Sequence, residues 1–291
     1  MAKPSFHSNS AFMKKSLFVI LAILMSIKVL AQEPTLYHVT YDCDANNPAG
    51  NATLYRWSLD IGKTTAVFYN DNYRKFNEEL ANTNVKSDPV RVLDMMDELA
   101  QKYPNKNSLQ ILLGSPQAGK YTYLNTILSS DLMYVEPTPQ IAWQLSDSVK
   151  DISGYECRQA QGALYGRTWT VWYTTDIPLS YGPYLLGGLP GLILSAYDTE
   201  GCFRFTLAGM EKSKDNDVVS LRVNKDVQKC TRKRYLQMRA ETNGLSQRQI
   251  VSRVLSQGGN ELDAGSVVIT DDKGSDISDQ ELPKKKFFDK E

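Results

Sequence analysis

Along most of the chain, apolar and polar residues alternate, which is the pattern of half-buried β-strands. Aromatic and β-branched residues are frequent at the apolar positions, as strands prefer. The strand-like segments are 35–43, 52–71, 120–128, 141–146, 154–179 and 191–210. Each of the last two segments contains turn-forming residues, at 162–166 and at 198–201, and therefore predicts a hairpin. The pattern predicts a mainly antiparallel β-sheet.

Two segments have a helical period instead of the strand period. Between 88 and 103, apolar residues recur three or four positions apart behind Asp88-Pro89, a helix-starting pair, and predict a helix. The apolar spacing from 227 to 256 predicts a helical C-terminal region that is interrupted at Asn243-Gly244. A chain in which strands and helices occur in separate segments, instead of alternating regularly, belongs to the α+β fold class.

The first 31 residues have the composition of a secretory signal peptide with an N-terminal extension. Lys14-Lys15 precede an apolar core from 17 to 27 that is too short to span a membrane, and we expect cleavage after Ala31. Gln32 follows the cut instead of cysteine, so no lipid anchor is predicted. The sequence predicts an exported protein, periplasmic or extracellular, with no transmembrane segment after cleavage.

Behind the signal peptide, we predict one α+β domain over 32–262 and a polar, mobile tail over 263–291. The tail is charged and rich in turn-forming residues, which favours a segment without a packed core of its own.

Charge and motifs exclude several function classes. The chain has 33 basic and 33 acidic residues, and the signal segment carries only basic ones, so the mature protein is slightly acidic and no nucleic-acid partner is predicted. There is no C-x-x-C motif, and His38 is the only histidine left after cleavage, so neither a metal nor a cofactor is predicted. The string "GSPQAGKYT" (114–122) resembles a phosphate loop but has Tyr121 where a serine or threonine should hold magnesium, and we interpret it as a β-turn.

All four cysteines lie in the mature chain. An even number in an exported protein predicts disulfides, with the pairing left open between Cys43, Cys157, Cys202 and Cys230. If 153–160, 167–175, 191–198 and 202–210 form a simple meander, Cys157 and Cys202 lie on its first and fourth strands. Three strand spacings make roughly 14 Å, which is too far for a bridge, so these two are predicted not to pair with each other.

The segment "GPYLLGGLPGLILS" (182–195) combines four glycines and two prolines with an apolar run. Such a loop either caps the open end of the sheet or rims a binding site for a ligand or partner. The cap is the interpretation that we favour, because buried leucines within a loop need apolar surface to pack on. The residues that form the candidate ligand or partner loop are Tyr184, Leu185, Leu186, Gly188, Leu189, Pro190 and Gly191. Asp176 and Asp198 bracket the loop and are an alternative, catalytic carboxylate pair.

Residues 152–198 resemble the signature block of the GLPGLI family of exported Bacteroidetes proteins. The block includes Gly166-Arg167, Trp172-Tyr173-Thr174 and the string 188–193 that gives the family its name. The chain departs from the family at Tyr184, often a tryptophan, and at Leu185-Leu186, often a more polar pair. The block is also similar to LolA-like lipoprotein carriers, which implies a half-barrel in which a curved antiparallel sheet wraps a helix and holds an acyl chain.

We therefore expect an exported, non-catalytic envelope protein that binds an apolar ligand, such as a hydrophobic small molecule or lipid, or an outer-membrane protein partner. A structural accessory role in an outer-membrane complex is an equally open alternative. The third alternative is a secreted hydrolase that uses the carboxylates near the glycine-rich loop.

Overall fold

The computed structural model describes residues 33–46, 52–82, 89–213, 217–223, 226–257, 275–280 and 287–290. The strands are β1 (Glu33–Pro34), β2 (Tyr37–Asn46), β3 (Ala52–Ile61), β4 (Ala66–Asn70), β5 (Gln110–Leu113), β6 (Lys120–Ile127), β7 (Ser130–Pro137), β8 (Gln144–Ile152), β9 (Tyr155–Leu164), β10 (Arg167–Thr174), β11 (Leu192–Asp198), β12 (Phe203–Lys212), β13 (Val218–Val219) and β14 (Gln228–Lys229). The helices are α1 (Asp71–Asn82), α2 (Pro89–Lys102), α3 (Arg232–Thr242) and α4 (Gln247–Gln257).

Twelve of these strands form one open sheet. Their order is β14-β7-β6-β5-β4-β3-β2-β12-β11-β10-β9-β8, and every pair is antiparallel except β14 with β7. The two short strands β1 and β13 pair separately. The predicted α+β class with a mainly antiparallel sheet is confirmed, and so are the helix within 88–103 and the helical C-terminal region.

Local turn chemistry explains the hairpins that the sequence predicted. Strands β9 and β10 are joined at Tyr165-Gly166, both with positive φ, and β11 and β12 are joined by a turn that contains Gly201, also with positive φ. The meander β9-β10-β11-β12 is confirmed. The loop between β5 and β6, which resembles a phosphate loop in sequence, is a turn that leads directly into a strand, as interpreted.

The sheet curls so that one face becomes an inner, concave face. The hydroxyls of Tyr121 on β6 and Tyr165 at the β9–β10 turn are 3.0 Å apart, although seven strand spacings separate β6 from β10. In a flat sheet those spacings would add up to roughly 33 Å. The sheet must therefore bend round between the two tyrosines, in agreement with the predicted curvature.

The inner face carries the core. On β2 and β3 the side chains that point inward are fully or almost fully buried, because strand residues alternate between the two faces. These side chains are Val39, Tyr41, Cys43, Trp57, Leu59 and Ile61. No second sheet covers this face among the described residues, so loops and helices must cover it.

The glycine-rich loop supplies part of that cover. Leu185, Leu186 and Leu189 are buried in the same cluster as the sheet, and so is Tyr184. Only Gly188 and Pro190 of the candidate loop residues are exposed. This placement fits the cap interpretation, since the leucines contact apolar surface; a ligand or partner role for the loop stays a prediction.

Two glycines hold the loop in place for different reasons. Gly188 has a φ of +84°, a conformation that L-residues resist, whereas an added Cβ would meet only Trp143 Nε1, at an ordinary contact distance of 4.0 Å. Gly191 has an ordinary φ, but a Cβ there would lie 1.8 Å from the carbonyl oxygen of Thr174. The loop therefore needs one glycine for its backbone angle and the other for close contact with β10.

The four cysteines correct the disulfide prediction. Cys43, Cys157 and Cys202 are buried, Cys230 is half-buried, and none of the four is bonded to another. The even number of cysteines did not indicate pairs, because the sheet places other residues beside them. Cys43, for example, is opposite Tyr55 and Phe205 on the neighbouring strands. The narrower expectation that Cys157 and Cys202 do not pair with each other agrees with the meander.

The predicted signal segment and the boundary at 262/263 lie outside the described residues. Within the segment predicted as a mobile tail, however, residues 287–290 lie against the core, and Phe288 is only 8% exposed. None of the helices in the described ranges is both long and apolar enough to cross a bilayer.

The outer face of β2 and β3 carries a buried charge cluster. His38 Nδ1 lies 2.5 Å from Asp60 Oδ1, and Arg74 of α1 donates to the other oxygen of Asp60 at 3.1 Å. The hydrogen bond with Asp60 raises the pKa of His38 against the opposing effect of burial, and Asp71 and Glu211 add to the rise. His38 is therefore an ion-pair partner of Asp60 on the outer face.

The loop geometry predicts different costs for two alanine substitutions. Gly188→Ala should lower the free energy of unfolding by about 1–2 kcal/mol, the cost of left-handed backbone for an L-residue. Gly191→Ala should cost at least about 3 kcal/mol, because its methyl group can be accommodated only if β10 or the loop moves. Chemical denaturation of both variants measures the difference, and equal losses would contradict the close-contact argument.

The His38–Asp60 pair predicts a pH-dependent stability. Since the folded-state pKa is raised above the ordinary value of 6.5, the protonated pair stabilises the fold fully below that value and loses its effect as pH rises through the folded pKa. His38→Gln should therefore cost more unfolding free energy at pH 5.5 than at pH 8.5. Asp42→Asn, which removes the exposed pair with Arg56 on the same two strands, is the control; a His38→Gln cost that is equal at both pH values would rule the pair out.

Candidate functional site

A pocket of about 380 Å³ lies between the inner face of the sheet and the C-terminal helices. One wall consists of inward side chains of the sheet, and the opposite wall consists of α3, the α3–α4 connection and the segment 287–289. Aromatic and aliphatic residues that line it include Tyr55, Trp57, Tyr123, Ile127, Phe203 and Ile250. Its size and largely apolar lining are those of a small-molecule site.

Phe288 stands in this pocket as the centre of an aromatic cluster. Its ring centroid lies between 4.7 and 5.5 Å from those of four other rings, which are Trp57, Tyr184, Phe203 and Phe205. Aromatic pairs at such distances add to the ordinary gain from burial. The glycine-rich loop contributes Tyr184 to this cluster, so the loop contacts the ring of Phe288.

Beside the aromatic cluster, the pocket has a charged end. Asp289 accepts hydrogen bonds from Arg239 at 2.5 Å and from Arg232 at 3.0 Å, and both arginines belong to α3. Arg239 is only 4% exposed, and its guanidinium also lies 4.1 Å above the ring of Phe287. Burial, the largest single influence, lowers the pKa of both arginines, but Asp289 and the nearby tyrosines together outweigh it, so the pKa of each arginine is raised.

Tyrosine hydroxyls continue this polar end. The hydroxyls of Tyr123 and Tyr235 are 3.3 Å apart, and Asn125 Nδ2 donates to Tyr235 at 2.8 Å. Burial raises the pKa of both tyrosines, so they remain neutral hydrogen-bonding groups at physiological pH.

Two buried donors at the pocket lack partners. Within the described ranges, neither Trp57 Nε1 nor Arg239 Nε has a hydrogen-bond acceptor. Both residues line the pocket and are at least nine-tenths buried. Buried donors are rarely left unpaired, because an unpaired donor has lost its bonds to water. The pocket therefore offers donors that an occupant with acceptor atoms would satisfy.

A second ion-pair cluster anchors the segment 287–290 from its other side. Arg167, which is 5% exposed, bonds Asp198 at 2.6 Å and also donates to the carbonyl oxygen of Phe287 at 3.0 Å. Lys290 pairs with Glu200, and its backbone amide donates to Tyr165 O at 2.8 Å. Asp198 and Glu200 lie close to Cys202, but both carboxylates already face cations. The group is therefore an ion-pair network rather than an open metal site.

The alternative catalytic pair is not brought together. Asp198 lies opposite Trp169 in the β10–β11 ladder, whereas Asp176 lies beyond the far end of β10 and is exposed. Asp176 is seven residues beyond Trp169, the partner of Asp198, and seven residues of extended chain span roughly 20 Å. The two carboxylates therefore do not form the alternative pair, because the β10–β11 hairpin places them at opposite ends.

The pocket also holds no activated thiol. Cys43 lines it, but burial raises the pKa of the Cys43 thiol well above its usual value. A thiol of that kind stays protonated and is a poor nucleophile. Among the described lining residues, the pocket combines apolar walls and neutral hydroxyls with Arg239, which is buried and paired with Asp289.

Sequence reasoning missed the charged end of this site. Arg232, Arg239 and Asp289 lie in segments that read as an ordinary polar helix and a charged tail. The one available signal was Phe287-Phe288, an aromatic pair inside an otherwise charged stretch. Such a pair needs apolar surface to cover it.

Comparison with known proteins adds a fold-level relationship. Residues 117–235, from the turn before β6 into α3, match the family model of the N-terminal domain of N-glycanase peptides. Two structures of PNGF-II, in space groups P21 and C2, are similar with TM-scores of 0.50 and identities of 14% and 15%. Each alignment covers 73% of this chain and 34% of PNGF-II, so the chain spans about a third of that protein.

A LolA-superfamily protein from Nitrosomonas europaea is a more distant structural match, with a TM-score of 0.27, 10% identity and coverage of 63% of this chain and 88% of that protein. No curated protein matches the chain significantly. At these identities, the likeness to PNGF-II shows a shared fold.

Proposed function

We propose that this chain is a non-catalytic binding protein that holds an apolar ligand in the pocket between the curled sheet and α3. The observation that carries the proposal is the pocket itself. Its walls are largely apolar and aromatic, and its buried donors lack acceptors. Ligand sites in proteins combine these two properties, apolar surface for affinity and a few polar groups for orientation.

The signal peptide at 1–31 supports a location outside the cytoplasm, in the periplasm or beyond the cell. The signature block 152–198 supports membership of the GLPGLI family of exported proteins. Both proposals rest on the sequence, and they fit a role in the cell envelope, where apolar molecules must be shielded from water. An outer-membrane protein partner that receives the ligand is part of this proposal.

A second candidate function follows from the family model matched by residues 117–235. The protein named there is an N-glycanase peptide, so this chain is proposed alternatively to recognise N-glycosylated peptides. The two candidates are distinguished by incubating the protein with an N-glycosylated peptide and with its deglycosylated form. Selective binding of the glycosylated form, without binding of an apolar probe, would favour the second candidate.

Filling the pocket provides the direct test of apolar binding. Ala45 lines the pocket at the end of β2, whereas Ala52, near it in the same hairpin, is exposed and does not line this pocket. We expect Ala45→Trp to weaken binding of N-phenyl-1-naphthylamine, a neutral fluorescent probe, at least tenfold. The new ring adds volume where the probe should lie, without leaving a cavity.

The matched control for this experiment is Ala52→Trp, which adds the same side chain nearby but outside the pocket. It should bind the probe with the affinity of the unsubstituted protein. If the unsubstituted protein does not bind the probe, or if both variants bind it equally well, apolar binding in this pocket is wrong.

A further inference from the structure

The segment 287–290 already occupies the pocket in the manner of a ligand. Phe288 fills the aromatic cluster, and the neighbouring carboxylate of Asp289 binds Arg239 and Arg232. The segment thus presents an apolar group and an acidic group side by side. Both groups are met by complementary surface, aromatic rings for the first and a cation pair for the second.

The cation pair restricts what can replace this segment. Arg239 is almost completely buried, and a buried charge that loses its counter-charge is strongly destabilising. An occupant without an acid group would leave Arg239 facing apolar walls and neutral tyrosine hydroxyls. Any molecule that displaces Asp289 must therefore bring a negative charge to the same place.

The remaining pocket space indicates where the rest of such a molecule would lie. About 380 Å³ of space remains beside the segment, bounded by aromatic and aliphatic side chains of the sheet. Arg239 and Trp57, whose Nε and Nε1 atoms lack acceptors among the described residues, line the same pocket. A hydrocarbon tail fits the walls, and acid oxygens fit the donors.

We propose that 287–290 is a displaceable internal ligand, and that the external ligand of the pocket is an anionic amphiphile. Its acid group takes the place of the Asp289 carboxylate at Arg239 and Arg232, and its hydrocarbon tail takes the place of the Phe288 ring. This inference rests on the proposed function and specifies the ligand class for the same site.

The contacts of the segment are suited to exchange. Besides the contacts of Phe288 and Asp289, it is held by the contact of the Phe287 ring with Arg239, by hydrogen bonds from the Lys290 amide to Tyr165 O and from Arg167 to Phe287 O, and by the exposed Lys290–Glu200 pair. It forms no strand pairing with the sheet. The segment and the amphiphile compete for the same atoms, so the apparent affinity falls in proportion to the open fraction of the pocket.

Because the segment 287–290 and the external ligand compete, a substitution that weakens binding of the segment should increase the affinity for the external ligand. Asp289→Asn keeps the shape of the side chain and the Phe288 ring but removes the charge. Palmitate should then bind at least tenfold more tightly than to the unsubstituted protein, measured by displacement of N-phenyl-1-naphthylamine. Hexadecanol, which has the same chain length and no charge, should gain much less than palmitate.

Two further full-length variants complete the test. Asp279→Asn removes another aspartate–arginine pair, with Arg248, in which the Asp279 side chain is 79% exposed, and should leave palmitate affinity unchanged. Arg239→Gln should abolish the preference of the Asp289→Asn protein for palmitate over hexadecanol.

Hexadecyl lysophosphatidic acid, tested in parallel, distinguishes a phosphate head group from a carboxylate. Tight binding of either supports an anionic amphiphile.

Addition of the segment as a separate peptide tests the internal ligand itself. In the full-length Phe288→Ala/Asp289→Asn protein, a peptide of sequence PKKKFFDKE (283–291) should displace bound palmitate. The same peptide with alanine and asparagine at the two positions should not. The single variant Asp289→Asn retains the Phe288 ring. Its palmitate affinity therefore tests the internal ligand even if the double variant fails to fold.

The outcomes separate the two proposals. If Asp289→Asn and the unsubstituted protein bind palmitate equally, or if palmitate and hexadecanol bind equally to Asp289→Asn, the inference is overturned while apolar binding stands. If the unsubstituted protein does not bind the neutral probe, the proposed function itself is wrong.

Discussion

A single curled sheet has an apolar inner face, and this face needs cover from other parts of the chain. Two-layer folds often bury such a surface against a second sheet or a row of helices. Here the cover is assembled from a glycine-rich loop, helix α3 and a short segment near residue 288. Helix α3 and the segment near residue 288 leave a pocket against the sheet, and this pocket is the proposed binding site.

The buried charge of Arg239 distinguishes this pocket from a simple gap in the packing. Arg239 is buried on α3 at the edge of an aromatic surface, where an arginine is stable only with a nearby anion. Asp289 provides that anion and at the same time holds Phe288 in the ring cluster. Charge pairing and apolar packing therefore depend on each other at this site, and an occupant that satisfies only one of them does not replace the segment.

Local patterns predicted the parts of the fold that are determined locally. The hairpins β9–β10 and β11–β12 follow from alternation and turn residues, and α2 follows from its helical period. Helix α1 was missed because it has no buried residue and hence a weak apolar pattern. Phe288 was missed for another reason: the rings around it come from segments more than 80 residues away in sequence, which local patterns do not encode. The disulfide prediction failed because the number of cysteines does not determine which of them the fold brings together.

The central claim is that the pocket is closed by Phe288 and opens to an acidic amphiphile. Incorporation of 4-fluorophenylalanine at position 288, observed by fluorine NMR, tests it most directly. We predict a buried resonance that is insensitive to exchange of H2O for D2O, and that moves to a solvent-exposed, isotope-sensitive position when palmitate saturates the protein. A resonance that is exposed without ligand, or that stays buried at saturation, would contradict the account.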